Sequence, residues 1–133
     1  MQRELIIPSK ILCINDVRLF LEDIFTELNL NREYFNRIFL GLSEAVNNSI
    51  IHGNQSDAKK KVFIRSYFSE RELVFEIKDQ GEGFLVDCIK DPTSLDNLKK
   101  ENGRGIFLIR EIADDIIFSD GGRSVLLRFN LNG

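Results

Sequence analysis

Several things are scarce in this chain of 133 residues, and each scarcity narrows the reading. There are only two cysteines, Cys13 and Cys88. They form no CxxC pair and no short Cys/His run surrounds them, so a reduced intracellular thiol pair is expected. No apolar run approaches the roughly 18 residues that a membrane span requires. The start reads Met1-Gln2-Arg3-Glu4, followed by only Leu5-Ile6-Ile7 before Pro8, too short and too charged for a secretory signal. A cytoplasmic location with no membrane partner follows as the expectation. Positive charge is not in excess: 18 Lys and Arg stand against 21 Asp and Glu, a net charge of −3. That argues against direct nucleic-acid binding, which usually shows as a basic stripe. No linker, internal repeat or low-complexity tract is visible. What remains is ordinary for a globular protein, with 43% hydrophobic and 29% charged residues. A chain approaching 150 residues buries roughly 70% of its unfolded surface, so residues 1–133 are expected to form one domain with its own core.

The hydrophobic period sets the order of elements. Glu4 to Ile7 reads as a short strand stopped by Pro8. Asn15 or Asp16 is a candidate cap for a helix whose stripe is Val17, Phe20, Leu21, Ile24 and Leu28. Asn29-Leu30-Asn31 interrupts it. A second helix is expected from about Arg32 to His52, with Phe39, Leu42, Val46 and Ile50 as its stripe and Gly53 as its C-terminal glycine. The period then changes to two. Val62, Ile64, Ser66 and Phe68, then Leu73, Phe75 and Ile77, predict a hairpin turning at Ser69-Glu70-Arg71-Glu72. From Phe84 to Asn102 periodicity fails, a long segment of the kind that often serves as a lid. Ile106 to Ala113 reads as a short helix, and Ile116–Ser119 and Val125–Leu131 as two strands around Asp120-Gly121-Gly122. Strands that come as hairpins, not as repeated βαβ units, predict an α+β fold. Its form is a two-layer α/β sandwich, a mixed, mainly antiparallel sheet with helices on one face.

Three clusters carry candidate chemistry. On the second helix, Glu44, Asn48 and His52 follow at steps of four and share one face, with Asn47 beside them. That pattern suits a solvated polar face, but a carboxylate one turn from an amide also suits a hard cation that takes oxygen ligands. A lone His on a helix is more often structural than catalytic. At a strand end stands Asp79-Gln80-Gly81-Glu82-Gly83. It reads either as a tight turn that needs positive φ at glycine, or as a backbone passing close to a flat ligand, with Asp79 accepting from an amino group. Gly103-Arg104-Gly105 opens a helix, where free N–H groups and the positive dipole end suit phosphate. Its plain alternative is a hinge with a solvated arginine. No Walker P-loop and no Rossmann glycine fingerprint is present.

Singly each cluster is a weak signal; their order and spacing together are specific. The segments Ser43-Glu44-Ala45-Val46-Asn47-Asn48-Ser49-Ile50-Ile51-His52-Gly53-Asn54, Lys78-Asp79-Gln80-Gly81-Glu82-Gly83-Phe84 and Asn102-Gly103-Arg104-Gly105-Ile106-Phe107-Leu108-Ile109 resemble the nucleotide site of the GHKL (Bergerat-fold) ATPase superfamily. Within it, the chain most resembles the anti-sigma factor serine/threonine protein kinases, over nearly its whole length. The resemblance implies ATP and Mg²⁺ as ligands. It implies Glu44 as general base, Asn48 as the Mg²⁺ ligand and Asn47 as a neighbour shaping the site. Asp79 would take the adenine amino group, with Gly81 and Gly83 letting the backbone pass the base and ribose. Gly103, Arg104 and Gly105 would wrap the phosphates, and Ser124 would stand where the family often has a threonine near the adenine. It also implies a sigma factor, a STAS-type anti-anti-sigma substrate and a homodimer as partners. With one histidine, in the helix box, and no dimerisation helix upstream, a self-sufficient histidine kinase does not fit. An ATP-binding regulatory module without phosphotransfer is the alternative.

Overall fold

A computed structural model describes residues 1–81, 109 and 111–131. The chain begins with β1 (Gln2–Pro8), followed by α1 (Ile14–Leu28) and α2 (Phe35–Asn48), then β2 (Lys61–Ser69) and β3 (Glu72–Lys78), and finally β4 (Asp115–Ser119) and β5 (Ser124–Asn130). The five strands form one sheet in the order β1-β2-β3-β5-β4, and all four pairings are antiparallel. The expected α+β sandwich with a mainly antiparallel sheet is therefore present. The predicted lid, Phe84–Asn102, lies outside the described residues, as does most of the helix expected at Ile106–Ala113. Of that helix a closing turn is described, in which the Ala113 N–H donates to the Ile109 carbonyl at 2.8 Å.

Register explains the core. Leu5 lies opposite Ile64, Ile64 opposite Ile77, Ile77 opposite Val125 and Val125 opposite Phe118. A second row runs Ser66, Phe75, Leu127, Ile116. With a side-chain period of two, one face of every strand lines up as a single apolar surface. Helices α1 and α2 cover that face through Val17, Phe20, Leu21, Ile24 and Phe25, and through Phe35, Ile38, Leu42, Ala45 and Val46, all in one cluster. The Phe25 and Phe35 rings meet edge to face at 5.2 Å, and Phe75 and Phe129 do the same at 6.2 Å. On the opposite face Ile6, Phe63 and Ile117 remain exposed.

Several boundaries differ from the periodicity reading, each for a local reason. A 3-10 turn, Ile11–Cys13, runs straight into α1, so Asn15 and Asp16 lie inside the first turn and no side chain caps it. Asp16 still complements the helix dipole there. Asn29 ends α1 in the left-handed conformation at φ 51°, a role its short side chain tolerates. The second helical segment is divided: a 3-10 turn (Arg32–Tyr34), α2 itself, then a π-turn (Ser49–Gly53) closed by the Asn54 N–H on the Ser49 carbonyl at 2.8 Å. Its buried stripe contains Ile38 where Phe39 was expected. Phe39 is half-buried on the flank, stacked at 6.1 Å on Phe35 beneath the Arg18 guanidinium. The hairpin turns at Glu70 and Arg71, with φ 52° and 64°, the left-handed geometry a two-residue turn needs at both positions.

Candidate functional site

Asp79 follows β3 directly, and its N–H donates to the Arg123 carbonyl at 2.9 Å, which carries the β3–β5 pairing one step further. The carboxylate is buried. Its Oδ1 accepts from the Gly81 N–H at 2.9 Å, folding the backbone back over the side chain. The Arg123 Nε donates to the Gly81 carbonyl at 2.7 Å and closes the loop from the other side. Burial pushes the Asp79 carboxyl above its ordinary value of 3.8, against the Gly81 N–H and the charges of Arg123 and Lys60.

The end of α2 packs against this loop without side chains between them. A Cβ on Gly53 would stand 2.3 Å from Asp79 Oδ2, and a Cβ on Gly81 would stand 1.8 Å from the Gly53 carbonyl oxygen. Neither glycine has a positive φ. Gly53 is thus not a left-handed helix cap, and Gly81 is not a positive-φ turn glycine. Both are glycine because two backbones and a carboxylate share a space with no room for a methyl group.

Beside Asp79 lies a narrow cleft, lined among the described residues by Ala45, Asn48, Ser49, Asp79, Ile109, Phe118, Gly122 and Val125. Ala45, Ile109, Phe118 and Val125 make apolar walls, and Asn48, Ser49 and Asp79 supply polar groups. Such a lining, with few convergent polar atoms, suits a flat heterocycle bearing a donor. At the cleft end of α2, Asn47 Oδ1 and Asn48 Nδ2 are buried with no hydrogen-bond partner among the described residues. An unpaired buried amide costs about 1–3 kcal/mol and calls for an explanation. The Nδ2 of Asn48, which lines the cleft, is a donor and fits a phosphate oxygen. No cluster of three His, Cys, Asp or Glu exists among the described residues.

The structure therefore brings together Asn48 and Asp79, which the sequence places in separate motifs. Glu44 stands one helical turn before Asn48, half-buried, and does not line the described cleft. Asn47 is next to Asn48 and is not among the described residues lining the cleft. Ser124 is buried at the start of β5, opposite Lys78 and adjacent to the cleft residue Val125. Gly83, Gly103, Arg104 and Gly105 lie outside the described residues. Sequence reasoning missed Arg123 and Phe118, because nothing local distinguishes an arginine in a turn or an aromatic in a strand. It noticed Gly53 for the wrong reason. Among the described residues no helix is long and apolar enough to cross a membrane.

Comparison with known proteins agrees with this geometry. Residues 7–129 match the family model of the histidine kinase-like ATPase domain. The anti-sigma F factor of Oceanobacillus iheyensis is 30% identical over 102 residues, covering 74% of this chain and 69% of that protein. The serine-protein kinase RsbW of Bacillus velezensis is 25% identical over 137 aligned positions, covering 98% of this chain and 86% of the relative. Among solved structures, a Mycobacterium tuberculosis protein comprising RsbU and RsbW domains superposes with a TM-score of 0.68 at 14% identity, a likeness of fold. It covers 98% of this chain, which spans 32% of that longer protein. The chain belongs to the histidine kinase-like ATPase domain family, among relatives named anti-sigma F factor and serine-protein kinase RsbW.

Proposed function

We propose that residues 1–133 act as one cytoplasmic ATP-binding domain that is both an anti-sigma factor and a protein serine/threonine kinase. The observation that carries the reading is the cleft itself. It joins a buried carboxylate, Asp79, to an α2 amide, Asn48, across apolar walls. In this reading Asp79 accepts a hydrogen bond from the adenine amino group, and Gly81 and Gly83 keep the backbone close to base and ribose. Ser124 offers its hydroxyl beside the base, and Asn47 shapes the α2 side of the site. Gly103, Arg104 and Gly105 hold the phosphates through N–H groups and one guanidinium. The amide oxygen of Asn48 would hold Mg²⁺. MgATP supplies an electrophilic γ-phosphoryl group whose charge is already partly neutralised. Glu44 would take the proton from an acceptor serine or threonine hydroxyl, which would receive the γ-phosphoryl group and release ADP. The acceptor is a STAS-type anti-anti-sigma protein, the sequestered partner is a sigma factor, and the working form is a homodimer. The names of the relatives support this reading.

Calorimetric titration with ATP, with and without Mg²⁺, tests the nucleotide step. Binding that depends on Mg²⁺ and weakens in Asn48→Ala and Asp79→Asn is expected; no binding to the unaltered chain refutes it. One observation favours the alternative, an ATP-regulated binding module without transfer: Glu44 does not line the described cleft. A chain that binds MgATP and its partners yet transfers no phosphate to any STAS-type protein decides for that alternative.

A further inference from the structure

We propose that Asn54 is a positioning residue for the base-recognition loop, its side-chain amide holding the Asp79–Gly81 segment against the end of α2. This inference rests on the nucleotide reading above and adds to it a residue outside the cleft. Asn54 is fully buried yet polar, at 0% exposure. Its Nδ2 donates to Ser9 Oγ at 2.8 Å and to the Lys61 carbonyl at 2.9 Å. Its Oδ1 accepts from the Gln80 N–H at 2.8 Å. Its own N–H closes the π-turn on Ser49, and its carbonyl accepts from the Asp57 N–H at 3.0 Å. One amide thus joins the residue after β1, the start of β2, the end of α2 and the loop after β3.

The bond to Gln80 is the one that matters for the site. It fixes the peptide plane between Asp79 and Gln80, while Asp79 Oδ1 takes the next N–H, that of Gly81. Two consecutive amides are thereby pinned, and the orientation of the Asp79 carboxylate is set from both sides. The Gln80 side chain reinforces the anchor, since its Oε1 accepts from the Lys61 N–H. The tight approach of Gly81 to the Gly53 carbonyl needs such an anchor. An apolar side chain at this position would take the partner from the Gln80 N–H and the Lys61 carbonyl. Of the remaining bonds of Asn54, the one to Ser9 bears on the sheet edge and not on the loop.

That division gives the test, made on the full chain with hydrogen exchange at single amides, urea unfolding and MgATP calorimetry. Ser9→Ala removes one sheet-edge partner and leaves the Gln80 anchor. It is expected to lower stability while keeping Gln80 exchange and MgATP affinity within about twofold. Asn54→Ala removes the anchor; the Gln80 and Gly81 amides should exchange at least about tenfold faster relative to amides within β3, and MgATP affinity should fall at least about tenfold. Asn54→Asp keeps an acceptor for Gln80 but loses both Nδ2 donors. Its stability should fall no less than that of Asn54→Ala, yet Gln80 stays protected and affinity falls less. This variant carries the test if the alanine chain does not fold. Affinities that simply follow stability across the three variants overturn the proposal, as does a Gln80 amide equally protected in Asn54→Ala. If the unaltered chain binds no MgATP, the nucleotide reading fails. The exchange result then decides alone whether Asn54 holds the loop.

Discussion

Gly81→Ala tests the packing argument most directly. The added Cβ would lie 1.8 Å from the Gly53 carbonyl oxygen and 2.5 Å from its carbon. An ordinary carbon–oxygen contact needs about 3.3 Å, so one backbone must retreat by roughly 1.5 Å. Neither can do so freely. Gly81 is tied by its N–H to Asp79 Oδ1 and by its carbonyl to Arg123, and Gln80 is tied to Asn54. Each bond lost costs about 0.5–1.5 kcal/mol net. Sacrificing two or three costs about 2–4 kcal/mol, offset by less than ~1 kcal/mol from the smaller conformational freedom of an unfolded alanine chain. Urea unfolding should report a net loss of about 2–3 kcal/mol, and MgATP affinity should fall with it as the Asp79 carboxylate is displaced. Gly121→Ala is the control. Gly121 has φ +64°, but its nearest atom to an added Cβ is the flexible Arg123 Nη1 at 3.7 Å, so only left-handed strain of about 1–2 kcal/mol is expected. A Gly81→Ala chain within 0.5 kcal/mol of the parent, or no worse than Gly121→Ala, refutes the close-packing account.

Asp79→Asn should separate stability from binding. The folded carboxyl has its pKa raised above 3.8 by burial, so the native state binds the proton more tightly than the unfolded chain. The stability this group contributes is full below pH 3.8 and lost as pH rises through the folded value. Asparagine keeps an oxygen for the Gly81 N–H without the charge. The variant should therefore be the more stable at pH 7, with the difference closing towards pH 3. Its MgATP affinity should fall about 10–100-fold, because an N–H₂ group replaces one acceptor. Urea titrations at the two pH values check the sign, and a variant less stable at pH 7 contradicts it. At the hairpin, replacing Glu70-Arg71 by Asn-Gly should stabilise the fold by about 1–2 kcal/mol, since both residues sit at left-handed φ; an unchanged urea midpoint counts against the strain. Glu44→Ala should leave MgATP binding within about threefold and lower phosphate transfer to a STAS-type serine at least about a hundredfold. Radiolabel transfer measures it, and unchanged transfer removes Glu44 from the role of base.

Much of the fold was legible because strand periodicity is strict. The alternation over Val62–Phe68 and Leu73–Ile77 predicts which side chains face the helices, and the register confirms it row by row. Helix faces are harder to read. A rotation of one residue exchanges Phe39 for Ile38, and only the position of α1, with Phe25 and Arg18, decides between them. The π-turn after Asn48 is invisible to any window that assumes 3.6 residues per turn. The site was legible as motifs and illegible as contacts. Gly53 and Asp79 meet only when α2 is laid against the end of β3, so a local rule assigned Gly53 to a helix cap and left Gly81 between a turn and a close approach to a ligand. Asn54, which only closes the quoted helix motif, and Arg123 carry no local sign of their contacts, because their bonds run to residues 26 and 42 positions away in sequence.

Several departures from local rules lie around the cleft: a buried carboxylate, two amide atoms without a partner among the described residues, a contact that no Cβ could enter, and Asp120 at φ 53°. Left-handed φ also occurs outside the cleft lining, at Asn29, Gln55, Ser56, Glu70 and Arg71. Strain of this kind persists where the surroundings over-determine it. The hairpin turn is the contrast, since Glu70 and Arg71 are strained far from the cleft. Relieving strain at the two places should therefore have opposite consequences for function. Asn-Gly at the hairpin raises stability and leaves MgATP affinity untouched, whereas Asp79→Asn raises stability at neutral pH and loses affinity. If both changes left binding intact, the strain around the cleft would be incidental to the ligand, and the assignment of Asp79 would fall with it.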